Sequence, residues 1–162
     1  MGVTDASGCR VRTVGGKKEI FDPVRRRFVA LTPEESVRQA YLLYLTQALH
    51  FPLISLSVEK KVVYNGQTRR YDIVAYRPDA EALLLVECKA EQVPLSGDTL
   101  YQAAMYNHEL QADFVVLFNG VSQFACRREA QGYQPLGNLP AYKEMLCQSD
   151  ALRREKRGEE GA

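Results

Sequence analysis

The chain has 162 residues, 46% of them hydrophobic and 25% charged, enough for one domain with its own core. Its 21 Lys and Arg against 20 Asp and Glu leave a formal net charge of +1, which excludes capture of nucleic acid by a whole-molecule field and requires any such binding to come from a local patch. No stretch approaches the about 20 apolar residues of a membrane span, the N-terminus lacks the apolar segment of a signal peptide, and Cys9, Cys88, Cys126 and Cys147 lie too far apart for a zinc site or a disulfide scaffold; the expectation is a cytoplasmic protein with reduced thiols and no membrane partner.

Residues 1–30 read as a loosely held arm with one short strand at 19–21, and Lys17, Lys18, Arg25, Arg26 and Arg27 form a first basic cluster there. Gly15-Gly16-Lys17 is not a phosphate loop, because the earlier glycine and the hydroxyl after the lysine are both missing, so no bound nucleotide is expected. The domain proper spans 31–152. Thr32-Pro33-Glu34-Glu35 opens a helix with an N-cap hydroxyl, a proline in the first turn and Glu35 at the capping-box position. Leu42, Leu45 and Leu49 follow at helical spacing, and Pro52 stops the run just beyond His50.

Alternation over 56–64, the Asn65-Gly66 turn and a return strand over 70–76 predict a hairpin, with Lys60, Lys61, Arg69 and Arg70 as a second basic cluster. Pro78-Asp79 makes the next turn. The continuous apolar run 83–88 is a strand covered on both faces. Asp98 then caps a helix reaching about Leu110, a buried strand over 114–118 closes at Asn119-Gly120, and residues 123–127 pair with it. An amphipathic helix covers 141–152, and the charged tail 153–162 is expected to be disordered. This order points to an α/β (α+β) architecture, a central mixed sheet flanked by helices.

Two segments carry the chemistry. Arg70-Tyr71-Asp72-Ile73-Val74 puts a carboxylate within one strand, and Val86-Glu87-Cys88-Lys89 puts a carboxylate and an amine at the end of its neighbour. Because side chains alternate, Glu87 and Lys89 leave the same face while Cys88 points to the opposite, helix-covered side. Asp72 and Glu87 can therefore converge on one hard cation, Mg²⁺ or Mn²⁺, with Lys89 beside it. Hydrolysis of a phosphodiester needs an oriented water, neutralisation of the phosphate oxygens and support for the leaving oxygen, and a cation with a lysine supplies these. The competing reading is an edge strand blunted by paired exposed charges. Against it, Glu87 ends the most apolar strand in the chain, where an unpaired charge is costly. His50 and His108 have no partner motif and read as ordinary helix residues, and Cys88 reads as a packed thiol.

The series from Leu31-Thr32-Pro33-Glu34-Glu35 through Arg69-Arg70-Tyr71-Asp72 and Leu85-Val86-Glu87-Cys88-Lys89 to Asn119-Gly120 resembles the PD-(D/E)XK nuclease superfamily, and more narrowly the nuclease-type domain at the N-terminus of type I restriction enzyme R subunits. The resemblance covers about residues 31–128. It implies a restriction-endonuclease-like core, Asp72 and Glu87 as metal ligands and Lys89 as catalytic lysine, with Tyr71 standing where the motif has proline. Gln102-Ala103-Ala104-Met105-Tyr106 is similar to a QxxxY element, which implies that Gln102 and Tyr106 position substrate or site; the alternative is a partly buried tyrosine with a solvated glutamine. Glu35 resembles a first-helix glutamate near the metal, an additional ligand, alongside its capping role. The implied activity is metal-dependent cleavage of DNA, with DNA, a second copy or a motor or specificity subunit as partners. A non-catalytic DNA-binding or assembly module of the same fold is the alternative.

Overall fold

The computed structural model describes residues 3–4 and 8–160. It contains two sheets. The first is an antiparallel meander of β1 (Val3–Thr4), β2 (Arg10–Val14), β3 (Lys17–Asp22) and β4 (Arg27–Ala30). The second has six strands, β5 (Leu56–Tyr64), β6 (Gln67–Tyr76), β7 (Ala82–Cys88), β8 (Phe114–Phe118), β9 (Gln123–Glu129) and β10 (Gly132–Leu136), in the order β10-β9-β8-β7-β6-β5. Every pair in it is antiparallel except β7 and β8, which run parallel and are joined by the crossover helix α2 (Gly97–Leu110).

β7 lies at the centre because its sequence suits no other place. Ala82 to Val86 are all buried, and from Leu84 on the side chains alternate between two separate cores. On one face Leu84 and Val86 join Ile73, Phe114 and Val116 against Tyr41, Leu42 and Leu45 and against Tyr142 and Met145, contributed by α1 (Pro33–Leu43), the turn that continues it, and α3 (Tyr142–Glu160). On the other face Leu85 joins Tyr71, Val74, Val115 and Leu117 beneath Ala103 of α2. Each buried leucine or valine contributes about 1.5–3 kcal/mol, so the sheet is tightly packed where β7 ends beside the middle of β6.

The mixed sheet flanked by helices is as the sequence indicates, and several elements differ. Residues 10–30, read as a loose arm with one strand, form three strands; residues 1, 2 and 5–7 of that arm lie outside the described residues. Ile20 and Asp22 have no exposed surface, and the Asp22 carboxylate closes the turn into β4 by accepting from the N–H groups of Val24 and Arg25, both at 2.8 Å. The first helix is regular only to Leu43 and continues over Tyr44–Ala48 as a wider π-type turn, where Thr46 Oγ1 bonds back to the Leu42 carbonyl. Ser96, not Asp98, caps α2, in a reciprocal capping box with Thr99. The tail expected to be disordered from 153 instead extends α3 to Glu160. Arg153 anchors it on Asp113 at 3.1 Å, and residues 161 and 162 lie outside the described residues. Among the described residues no helix is long and apolar enough to cross a membrane.

Candidate active site

The β6–β7 register decides where the carboxylates meet. Ile73 pairs with Val86, and one step further Asp72 stands opposite Glu87, the closest side-chain relation two antiparallel strands offer. Asp72 is 7% exposed. Its Oδ2 accepts from the Cys88 N–H at 2.8 Å, and its Oδ1 accepts from Arg38 Nη2 at 2.7 Å. The Lys89 N–H donates to the Phe118 carbonyl at 2.9 Å, which carries the β7–β8 ladder past the end of β7 and holds Lys89 on the same side as Glu87. Asp72, Glu87, Lys89, Gln102 and Tyr106 all line one open cleft of about 790 Å³.

Within this cleft Glu87 is the anomalous group. Its Oε1 is buried and meets no hydrogen-bond partner among the described residues. Burial, followed by the neighbouring Asp72 charge, pushes its carboxyl up to about 9, with Lys89 pulling the other way. Glu87 therefore holds a proton at neutral pH unless a cation takes that proton's place. Cys88, between the two, is fully buried on the α1 side of the sheet, and burial pushes its thiol well above the ordinary value. A thiol in that state is packing, not a nucleophile.

A network of ion pairs forms the floor of the cleft. Arg38 Nη1 donates to Glu35 Oε2 at 2.7 Å while its Nη2 holds Asp72. Arg25 donates to Asp22 Oδ2, Glu35 Oε1 and Glu59 Oε2 at 2.7, 2.7 and 3.0 Å, and Gln39 Nε2 bridges Asp22 and Glu35 at 2.9 and 3.0 Å. Two arginines thus bridge four carboxylates in a place where single unpaired charges would be costly. Glu59 has φ 54° in the middle of β5, between Val58 and Lys60, which pair with Ile73 and Tyr71, a conformation a non-glycine residue keeps only when its surroundings enforce it.

This network changes the roles of two residues singled out in the sequence. Glu35 was expected as an additional metal ligand. Its oxygens accept from Arg25, Gln39 and Arg38, so, like Asp72, it would have to share them with an ion, and no group of three or more His, Cys, Asp or Glu gathers among the described residues. The Thr32 hydroxyl does accept from the Glu35 N–H at 3.0 Å, so only half of the anticipated capping box forms. Arg25, read as part of a basic patch, is spent on carboxylates. Arg38 escaped the sequence reading, although its place three residues after Glu35 on a helix is a legible signal. Glu59 had no signal, because its role depends on an irregular backbone.

Gln102 is exposed and Tyr106 half-buried on the α2 wall. The Tyr106 carbonyl accepts from the Tyr71 hydroxyl at 2.6 Å, which ties β6 to α2; burial and then Glu87 push that hydroxyl up to about 12. The Arg69 guanidinium stacks 4.9 Å from the Tyr106 ring centroid. Arg69 and Arg70 line the cleft, whereas Lys60 and Lys61 are exposed on β5 outside its lining. His50 and His108 do not line it either. Asn119 is structural: buried, it bonds the Val93 carbonyl and the N–H groups of Val121 and Ser122.

The donor set fits a hard divalent cation at two points. Glu87 Oε1 is a buried oxygen without a hydrogen-bond partner among the described residues, burial and then the facing Asp72 raise its proton affinity, and Mg²⁺ is held by one or two protein carboxylates with waters completing the shell. Asp72 would share its Oδ1 between that ion and Arg38.

The profile of the family described as "Type I restriction enzyme R protein N terminus (HSDR_N)" matches residues 33–140. No curated protein matches the sequence. Among solved structures, a chain assigned as an HsdR subunit fragment of a type I restriction enzyme from Vibrio vulnificus YJ016 is 23% identical over 60% of this chain and 19% of its own, with a TM-score of 0.41. A chain of the DrdV-DNA complex is 21% identical over 71% of this chain and 11% of its own, with a TM-score of 0.44. This chain therefore spans under a fifth of the length of either structure.

Proposed function

The chain belongs to the family of type I restriction enzyme R protein N-terminal domains, and from that premise we propose that it is a DNA endonuclease domain of the PD-(D/E)XK type that hydrolyses phosphodiester bonds with Mg²⁺ or Mn²⁺. The observation that carries the proposal is the unpartnered Glu87 oxygen opposite Asp72, beside Lys89, on an open cleft. A bound divalent ion supplies charge for the phosphate oxygens and a more acidic water. The protein supplies the rest. Asp72 and Glu87 fix the ion, Arg38 fixes Asp72, and the Lys89 ammonium faces the scissile phosphate, where it orients the attacking water or offsets the developing charge. Gln102 and Tyr106 form the wall against which the substrate rests, and Arg69 and Arg70 meet flanking phosphates.

One such site cuts one strand, so double-strand cleavage calls for a second copy or a partner. The family is that of a subunit of type I restriction enzymes, which makes a motor or specificity subunit the companion to test for. A second reading, a DNA-binding or assembly module without catalysis, is favoured by the hold of Arg38 on Asp72. The two separate on incubation of the purified chain with supercoiled, linear and single-stranded DNA in Mg²⁺ or Mn²⁺. The proposal expects cleavage that EDTA and Lys89→Ala both abolish; DNA bound but left intact in every form would give the second reading.

A further inference from the structure

The four-stranded sheet lies wholly outside the residues that match the family, and its charge is unlike the rest of the molecule. Residues 8–32 carry seven Lys and Arg against two Asp and Glu, a formal +5; since the whole chain is +1, the remainder carries −4. Such an asymmetry within a nearly neutral chain is a physical signal of a polyanionic partner.

The strand pairing sorts these charges by face. Val11 pairs with Ile20, and Ile20 is completely buried, so this face looks inward. The alternate positions look outward. Arg12 pairs with Glu19, Lys17 with Val14, and Phe21 with Phe28. Arg10 lies 4.6 Å from the Phe21 ring centroid and Arg12 lies 4.0 Å from that of Phe28, while the two rings meet edge to face at 5.2 Å. An arginine held over an aromatic ring is fixed in place while its outer N–H groups stay available to phosphate oxygens. Apart from the Arg12–Glu19 bridge, no described carboxylate pairs with Arg10, Lys17, Lys18, Arg26 or Arg27, all of which are exposed.

This face reaches the cleft at Ala30, which pairs with Glu19, while Val29 beside it pairs with Ile20 and looks inward. Val29 and Ala30 of β4 line the cleft beside Glu34 and Arg70, and Arg25, at the β3–β4 turn, is bonded to Glu35 of α1 and Glu59 of β5. The sheet is thereby held rigidly against the site.

We propose that the outward face of the N-terminal sheet, built on Arg10, Arg12 and Lys17 over Phe21 and Phe28, binds the phosphodiester backbone of nucleic acid and extends the track of the strand that enters the cleft. The inference rests on the proposed function for the direction of that track, and its test does not depend on cleavage. Fluorescence anisotropy of a labelled duplex and of a single strand of equal length, titrated with the full chain in EDTA, gives affinity at several NaCl concentrations. The wild type should bind with a steep fall of log K against log[NaCl]. Arg10→Gln/Arg12→Gln/Lys17→Gln should weaken binding at least about tenfold and flatten the duplex slope by about 2.7, three phosphate contacts at about 0.9 each. Lys17→Glu, exposed and unstacked, should flatten it by about one and guards against a misfolded triple variant. Unchanged slopes in both variants would overturn the inference, as would binding to phosphatidylserine vesicles with neither DNA probe bound. Loss of cleavage in Glu87→Gln with the slope retained would leave it standing, and slopes that respond in a chain that never cleaves would refute only the nuclease reading.

Discussion

Replacing Glu87 with glutamine should stabilise the metal-free protein at neutral pH, by an amount that grows with pH. Glu87 has its carboxyl pushed from 4.5 up to about 9 by burial and by Asp72. Below 4.5 folded and unfolded chains both carry the proton, and the shift costs nothing. Between 4.5 and 9 the folded chain holds a proton that the unfolded chain has released, so stability falls as pH rises, at up to about 1.4 kcal/mol per pH unit. At pH 7 the accumulated loss is about 3 kcal/mol at most. Glutamine keeps the shape and an N–H donor in place of the acid proton, does not titrate, and removes this loss. Urea unfolding of wild type and Glu87→Gln in EDTA, at several values between about pH 5 and pH 8, should show nearly equal stabilities at the acid end and a widening advantage for the variant above it. A difference that stays constant across that range would refute the account of Glu87 as a buried carboxylate facing a second carboxylate.

Mg²⁺ or Mn²⁺ well above its dissociation constant should raise the wild-type melting temperature, equivalent to about 1–3 kcal/mol, and Asp72→Asn should lose most of that shift; equal shifts would remove the ion from these carboxylates. Lys89→Ala removes no ligand, so the metal-induced shift should persist while cleavage falls sharply, and loss of the shift would make Lys89 structural. Arg38→Met takes the arginine from buried Asp72 and one of two from Glu35 and should cost about 3–5 kcal/mol in denaturant unfolding, with Arg38→Lys recovering part; an unchanged midpoint would mean that the Arg38 pairs contribute nothing.

The parts of the fold legible in sequence are those set by local pattern. The apolar run at 83–88, the Asn65-Gly66 turn and the alternation around them fix β5, β6 and β7, and strand parity then predicts that Glu87 and Lys89 share a side and that Cys88 is buried. Thr32 and Pro33 likewise mark the start of α1. What escaped depends on distant partners. The three strands over 10–30 were hidden because basic and glycine residues dominate the segment, and only the fit of Ile20 and Asp22 against α1 makes them a sheet. The extension of α3 rests on Arg153 meeting Asp113, 40 residues apart. The partners of Glu35 were hidden for the same reason: Arg25 lies on another element, and nothing local to Glu35 indicates that its oxygens accept from it. Glu59 could not be found at all, since its left-handed backbone is a property of the packed site.

The central claim, that Asp72 and Glu87 hold one divalent ion beside Lys89, is tested most directly by anomalous diffraction from crystals of the chain soaked in Mn²⁺. The account predicts a single strong peak between the two carboxylates, within about 2.0–2.3 Å of an oxygen of each, with Arg38 still on Asp72 or displaced from it. A peak elsewhere, or none in the cleft at saturating Mn²⁺ with both side chains ordered as described, would contradict it.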